Sequence, residues 1–413
     1  MDFRSDFPLL SNQANGHPIA YLDNAATSQK PQVVLDAIND FYTKTNANVH
    51  RGVYHMAEES TALYEAGRET VRRFLNASST EEIIFTHGTT EGINIVAQMM
   101  IENVLEPGDT VVVSESEHHS NIVPWQIVGK RQGTGVKYIP VDEFGNLKLD
   151  SLDDLFDAQA KVLSIQYASN ATGIVHDLPT IIARAKANGM IVVVDAAQAA
   201  PHFPIDVQAL GCDFLAFSGH KVFGPTGIGV LYGRRELLEK YEPILGGGEM
   251  ISRVGRDDST WADLPHKFEP GTPHIAGVAG LKAAIEYVEA TGWETIRKIE
   301  DELLHYAWEK LCEIPSLKLH RPTPPLGIRN SSLGIPASLP IFPFSLGNAH
   351  PHDIASVLDG LGICVRAGHH CTQILHRTWD VPATCRASLS FYNTKEEIDR
   401  MAVGLRQAAK TFA

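Results

Sequence analysis

The chain has 413 residues, 44% of them hydrophobic and 20% charged, which fits a folded protein large enough for two domains and excludes a disordered or fibrous one. Its formal net charge of −14, with no basic run longer than pairs such as Arg72-Arg73 and Arg234-Arg235, argues against nucleic-acid binding, which needs clustered Lys and Arg. No apolar run approaches the roughly 18 residues of a membrane span, the N-terminus has early acidic residues and no long apolar segment of a signal peptide, and the five cysteines are odd in number without CxxC spacing, so the expectation is a cytoplasmic protein with free thiols.

In chain order, six short β-branched runs read as buried strands: EEIIFT (81–86), DTVVVS (109–114), KVLSIQ (161–166), MIVVVDAAQ (190–198), DFLAF (213–217) and GIGVLY (227–232). Helical stretches such as TTEGINIVAQMMI and PTIIARAKANG lie between them, the second closing on a glycine where a C-cap belongs. That alternation predicts an α/β fold with a mainly parallel sheet covered on both faces. From about residue 291 the pattern changes to helix, strand, helix, strand, interrupted by a Pro-rich segment, which predicts a smaller α+β domain.

Ligands of open α/β sheets collect at the carboxyl ends of strands. Three features fall there. THGTTEG (86–92) follows a strand and opens a helix, so amides and hydroxyls around Gly88, Thr89 and Thr90 offer a phosphate cradle. Asp195 ends a buried strand, with Gln198 three residues on, and the next strand delivers Ser218, His220 and Lys221. A lysine at the end of an apolar run is poorly placed for a charge, and a neutral amine there suits an imine with an aldehyde. With a carboxylate 26 residues upstream to hold a pyridinium nitrogen protonated, the set reads as a pyridoxal phosphate site. In SEHH, His118 or His119 supplies an imidazole to stack on the ring and shuttle protons near neutral pH.

These motifs carry a family resemblance. YLDNAATSQKP, NVHRG, GTTEGIN, EHHSNIVPW, VDAAQ, SGHKVFGPTGIG, FEPGTP, VRAGHHC and CRASLSFYNT stand in the order found in cysteine desulfurases of the class V aminotransferase group. The chain resembles in particular the Suf-type branch, similar to selenocysteine lyase. The resemblance implies a fold type I architecture with a seven-stranded sheet, a large cofactor-binding domain over 18–290, and a small domain formed by 1–17 and 291–413.

It also implies roles. Lys221 resembles the imine-forming lysine, His118 the ring-stacking histidine, Asp195 the pyridinium partner and Gln198 the partner of the ring oxygen. Thr90, Ser218 and His220 match phosphate ligands, and Thr272 matches a phosphate contact given by a second subunit, which implies a homodimer. Arg386 resembles the substrate-carboxylate arginine, Asn170 and His50 match residues beside the substrate, and Arg366 lies near the reactive loop. Cys371 is the nucleophile of the family, in a hinge-capable, electropositive loop; the other four cysteines read as packing residues. No metal site is implied. The implied reaction converts L-cysteine to L-alanine, leaves the sulfur on Cys371 as a persulfide, and passes it by thiol exchange to an acceptor protein of iron–sulfur cluster assembly. Selenocysteine lyase, an ordinary aminotransferase and a non-enzymatic scaffold are the alternatives.

Two features depart from the expected pattern. The segment 328–340 adds about ten residues before the strand leading to the reactive loop, and bears on acceptor docking. In HPHD (350–353), His352 is a candidate partner for an acceptor's zinc, while helix capping by Asp353 is the simpler expectation.

Overall fold

The structure, a computed structural model, describes residues 3–324, 328–330 and 335–412. Seven strands form the main sheet: β1 Ile83–Thr86, β2 Thr110–Ser114, β3 Gly135–Ile139, β4 Ala160–Gln166, β5 Ile191–Asp195, β6 Phe214–Ser218 and β7 Gly229–Gly233. Their spatial order is β1-β7-β6-β5-β4-β2-β3, parallel throughout except for β7, which runs antiparallel to both of its neighbours. Parallel strands need crossovers, and helices such as Thr89–Asn103 and Leu178–Ala187 supply them. Because both faces are covered, both alternating residue sets are apolar. Val111, Val113, Phe214 and Ala216 enter one core, and Val112, Leu163, Leu215 and Phe217 enter the other.

The strand without its own signal in the sequence is β3. It is an edge strand, largely half-exposed, and Lys137 on it pairs with Asp157, so it lacks the unbroken apolar run that marks the inner strands. The MIVVVDAAQ run also stops being a strand at Asp195, where the chain turns toward the ligand end.

Beyond residue 290 a second, antiparallel sheet forms from β8 Leu317–Leu319, β9 Ile341–Leu346, β10 Arg366–Gly368 and β11 Thr384–Ser388, in the order β8-β9-β11-β10. Helices Trp293–Cys312, Pro351–Asp359 and Lys395–Thr411 contribute Leu303, Leu358 and Leu405 to its core, together with Phe342 and Phe344 of β9. The N-terminal Phe7 instead packs in the core of the main sheet, its ring 4.4 Å from that of Tyr392, while Arg4 reaches Glu397 at 2.6 Å.

Two local expectations are corrected. The cap of helix Pro351–Asp359 is His350, whose Nδ1 accepts the His352 N–H at 3.3 Å; Pro351 fixes the start of the helix and leaves Asp353 inside the first turn. Cys312 is exposed rather than packed, because it ends its helix where the chain leaves the core. Of the added segment, 331–334 lie outside the described residues. Its C-terminal part docks on the main sheet's 168–175 loop, with Leu339 N–H donating to Gly173 O at 2.7 Å.

Candidate active site

The strand ends of the main sheet converge on one cavity. Gly88 leaves β1 at φ 147°, a conformation that favours glycine, and opens helix Thr89–Asn103. A Cβ on Gly229 of the adjacent β7 would lie 2.4 Å from Gly88 Cα, so the pair must be bare for strand and turn to approach. This brings Ser218, the last residue of β6, against the helix start. Its Oγ accepts the Thr89 N–H at 2.8 Å and shares a second 2.8 Å bond with the Thr89 hydroxyl. Hydroxyls and amides at a helix N-terminus suit an anion.

Lys221 follows β6 in the short turn Gly219–Lys221, and Asp195 ends the neighbouring β5. Burial lowers the Lys221 amine to about 8, against the opposing pull of Asp195. Burial raises the carboxyl of Asp195, whose Oδ1 accepts one backbone N–H, from Ala197 at 2.9 Å. Gln198 is fixed beside it by donating to Ala25 O at 2.6 Å.

His118 is half-buried at the cavity wall, and its desolvation together with the positive field of Lys221 pushes its imidazole down to about 3, neutral at physiological pH. Ser120 N–H donates to His118 Nδ1 at 3.1 Å, which leaves the ring proton on Nε2.

The small sheet closes the other side. Arg386, buried on β11, donates to Asn170 O at 2.9 Å and pairs with Asp23 at 3.1 Å. Arg366 of β10 pairs with the same carboxylate at 3.0 Å. Burial lowers the pKa of Arg386. Cys371 is exposed at the start of the turn after β10, with its carbonyl accepting from His119 N–H at 2.9 Å. Asn170 Nδ2 holds the carbonyl of His370 at 2.6 Å, so Asn170 also anchors this loop.

Thr90, His118, Asn170, Asp195, Gln198, Ser218, His220, Lys221, Arg366, Cys371 and Arg386 all line this one cavity, of about 210 Å³. His50 and Thr272 do not. His50 lies elsewhere, bonded to Glu65 at 2.9 Å and packed on His266, and Thr272 lines a separate cavity with Tyr64 and Glu269. His50, Glu65 and His266 bring ligand atoms within 4.8 Å of one another, but Arg68 already holds the other Glu65 oxygen at 3.0 Å. Sequence reasoning missed Asp23, the shared counter-charge of the two arginines. It stands inside YLDNAATSQKP, but only the fold brings it to β10 and β11.

The cavity fits pyridoxal phosphate on its own terms: an enclosed amine, a buried carboxylate on the neighbouring strand, and a glycine-floored hydroxyl cradle at a helix start. Arg386 Nε and Asn170 Oδ1 are buried without a partner among the described residues, which leaves unused polar capacity beside the cavity.

The sequence itself settles the lineage. Residues 20–401 match the model of the aminotransferase class-V family. The chain belongs to that family. Family members use pyridoxal phosphate, and this class-V chain carries the donors for it. It is 48% identical over 406 residues to a probable cysteine desulfurase of Halalkalibacterium halodurans, covering 98% of this chain and 97% of that one. A cysteine desulfurase of Serratia proteamaculans is 46% identical over 408 residues, with 98% and 97% covered. Among solved structures, the cysteine desulfurase CsdA from Escherichia coli superposes with a TM-score of 0.89 at 39% identity, covering 99% of this chain and 98% of that one.

Proposed function

We propose that this class-V protein is a cysteine desulfurase that moves sulfur from L-cysteine to Cys371, releases L-alanine, and hands the sulfur to a protein acceptor. One observation carries the reading: an enclosed lysine, its carboxylate neighbour and an exposed cysteine on a separate loop share a single cavity. An ordinary aminotransferase needs the first two and has no use for the third. The full-length similarity to proteins named cysteine desulfurase supports the same substrate and favours cysteine over selenocysteine.

Bound in the cavity, pyridoxal phosphate supplies an aldehyde that condenses with amines and a ring that stores the electrons freed at an amino acid's Cα. Thr90, Ser218 and His220 would hold its phosphate, Asp195 its pyridine nitrogen and Gln198 its ring oxygen. Arg386 presents a planar guanidinium to the substrate carboxylate, oriented by Asp23 and Asn170 O. Lys221, with its pKa drawn toward neutrality, takes the Cα proton and returns it. His118 would contact the ring, and as a neutral imidazole it is able to accept a proton at one nitrogen and donate from the other. The Cys371 thiolate attacks the substrate sulfur: an S–S bond forms, the carbon–sulfur bond breaks, and its electron pair stays with the carbon fragment, which is protonated to alanine. The persulfide's outer sulfur then leaves by thiol exchange.

The reading extends to features of the whole protein. The enzyme works as a homodimer in which Thr272 of one copy reaches the other's phosphate, and the acceptor belongs to iron–sulfur assembly on a Suf-type pattern. The division into 18–290 and a small domain of 1–17 with 291–413 belongs to the same reading, with Arg4 tied to Glu397 of the small domain while Phe7 packs in the core of the large one. Adding L-cysteine to the purified holoenzyme and measuring alanine together with sulfur on Cys371 tests the proposal; alanine without sulfur on any cysteine, or an oxo acid in place of alanine, would refute it.

A further inference from the structure

Behind the reactive loop lies a chain of buried polar side chains that no step above uses. His370, Thr384 and His376 are 6%, 0% and 1% exposed. His370 Nε2 is 2.9 Å from Thr384 Oγ1, and His376 Nε2 is 3.1 Å from the same oxygen. His376 Nδ1 lies 3.0 Å from the carbonyl oxygen of Thr372.

The proton positions follow from donor and acceptor roles. A carbonyl only accepts, so His376 Nδ1 carries the hydrogen. The Thr372 hydroxyl, 3.4 Å from Nδ1, does not compete, because it donates to His369 O at 2.9 Å. Burial pushes the pKa of His376 down, so the ring is neutral and Nε2 holds a lone pair. Nε2 therefore accepts from the Thr384 hydroxyl. That oxygen in turn accepts from His370 Nε2–H, which leaves Nδ1 of His370 as an acceptor, buried and without a partner among the described residues.

This directed chain ties together the residues on either side of Cys371, running from the His370 side chain to the Thr372 carbonyl. His370 and Cys371 adopt φ 52° and 58°, left-handed values that ordinary side chains disfavour, so something must hold them. Asn170 and His119 hold the two carbonyls from the main sheet's side. On the opposite side, Thr384 pairs across the ladder with Gly368 at the base of the loop, so the hydroxyl sits on a rigid strand two residues from Arg386. One ring grips the loop just before the sulfur and the other grips the Thr372 carbonyl just after it.

We infer that Thr384 and His376 are positioning residues for sulfur transfer, which fix His370 in one tautomer and hold the Cys371 backbone in its left-handed conformation. The inference rests on the reading of Cys371 as sulfur acceptor. Neither residue is needed to bind cofactor or substrate, so their loss separates the two stages of the reaction.

The test is a single turnover of holoenzyme with L-cysteine, following the substrate-induced absorption change and, by mass spectrometry, sulfur on Cys371. In Thr384→Val the shape is kept and the shared hydroxyl lost. The expected result is an absorption change with unaltered midpoint and sulfur loading slowed about tenfold, the scale of one lost buried hydrogen bond. Thr384→Ser restores loading to within about twofold, which a packing role for the Thr methyl would not allow. His376→Phe gives the same split and serves where Thr384→Val does not fold. Loading at the wild-type rate in Thr384→Val or His376→Phe, or failure of Thr384→Ser to restore it, overturns the inference. Wild-type protein that makes alanine with no sulfur on Cys371 instead overturns the reading beneath it.

Discussion

Lys221 illustrates how burial prepares a single side chain for chemistry. Enclosure lowers its amine from 10.5 to about 8, so the neutral form, which condenses with an aldehyde, becomes dominant as pH rises through about 8. Covalent capture of pyridoxal phosphate by the apoprotein is therefore expected to increase across that range, measured by absorbance or by borohydride trapping of labelled Lys221. A midpoint near 10.5 would show an unperturbed lysine. Lys221→Ala is expected to lose this capture and all alanine formation. At the other end of the reaction, Cys371→Ser leaves Lys221, Asp195 and Arg386 in place, so L-cysteine should still alter the absorption spectrum. Its hydroxyl cannot accept sulfur, and alanine from cysteine should fall at least about a hundredfold. In the same variant selenocysteine cleavage should fall far less, because selenium leaves carbon more easily. Alanine from cysteine at the wild-type rate would move the sulfur to another cysteine or to none.

Among the elements, the approach of β7 to the turn after β1 places the anion cradle. Gly229→Ala would set a methyl 2.4 Å from Gly88 Cα and 2.7 Å from Phe217 O, both backbone atoms that cannot swing aside. The variant is expected to lose about 1–3 kcal/mol of stability in denaturant titrations. It should also weaken cofactor affinity, since the strand shift would separate Ser218 from Thr89. Unchanged affinity would show that the cradle does not depend on this approach. This contact also marks where sequence reading stops. GTTEG, VDAAQ and SGHK were legible because each couples a buried strand to polar residues at its end, which local pattern alone reveals. Asp23 was not, since its two arginine partners stand more than 340 residues away in the chain. The edge strand β3 was missed because one open side relaxes the demand for apolar residues. His118 was legible as an imidazole near a strand end, whereas the enclosure and the positive field that lower its pKa arise only on folding.

At the scale of the whole molecule, Thr272 lies outside the cavity whose phosphate donors it was expected to join. In the single chain it lines a second cavity, beside Tyr64 and Glu269, while Thr90, Ser218 and His220 line the first. If the dimer is the working unit, a two-fold interface carries Thr272 from each copy to the other's site, and each active site is built from two chains. Mixing tests this directly. Thr272→Ala homodimers should bind cofactor weakly, and Lys221→Ala homodimers should be inactive. A mixed dimer of the two has one site with an intact Lys221 and, from its partner, an intact Thr272; the other site lacks both. Random reassociation yields about half mixed dimers with one competent site each, so the mixture is expected to regain about a quarter of wild-type activity at limiting cofactor. If Thr272 instead serves its own chain, every site in the mixture lacks one group or the other, and activity stays at the sum of the two parents.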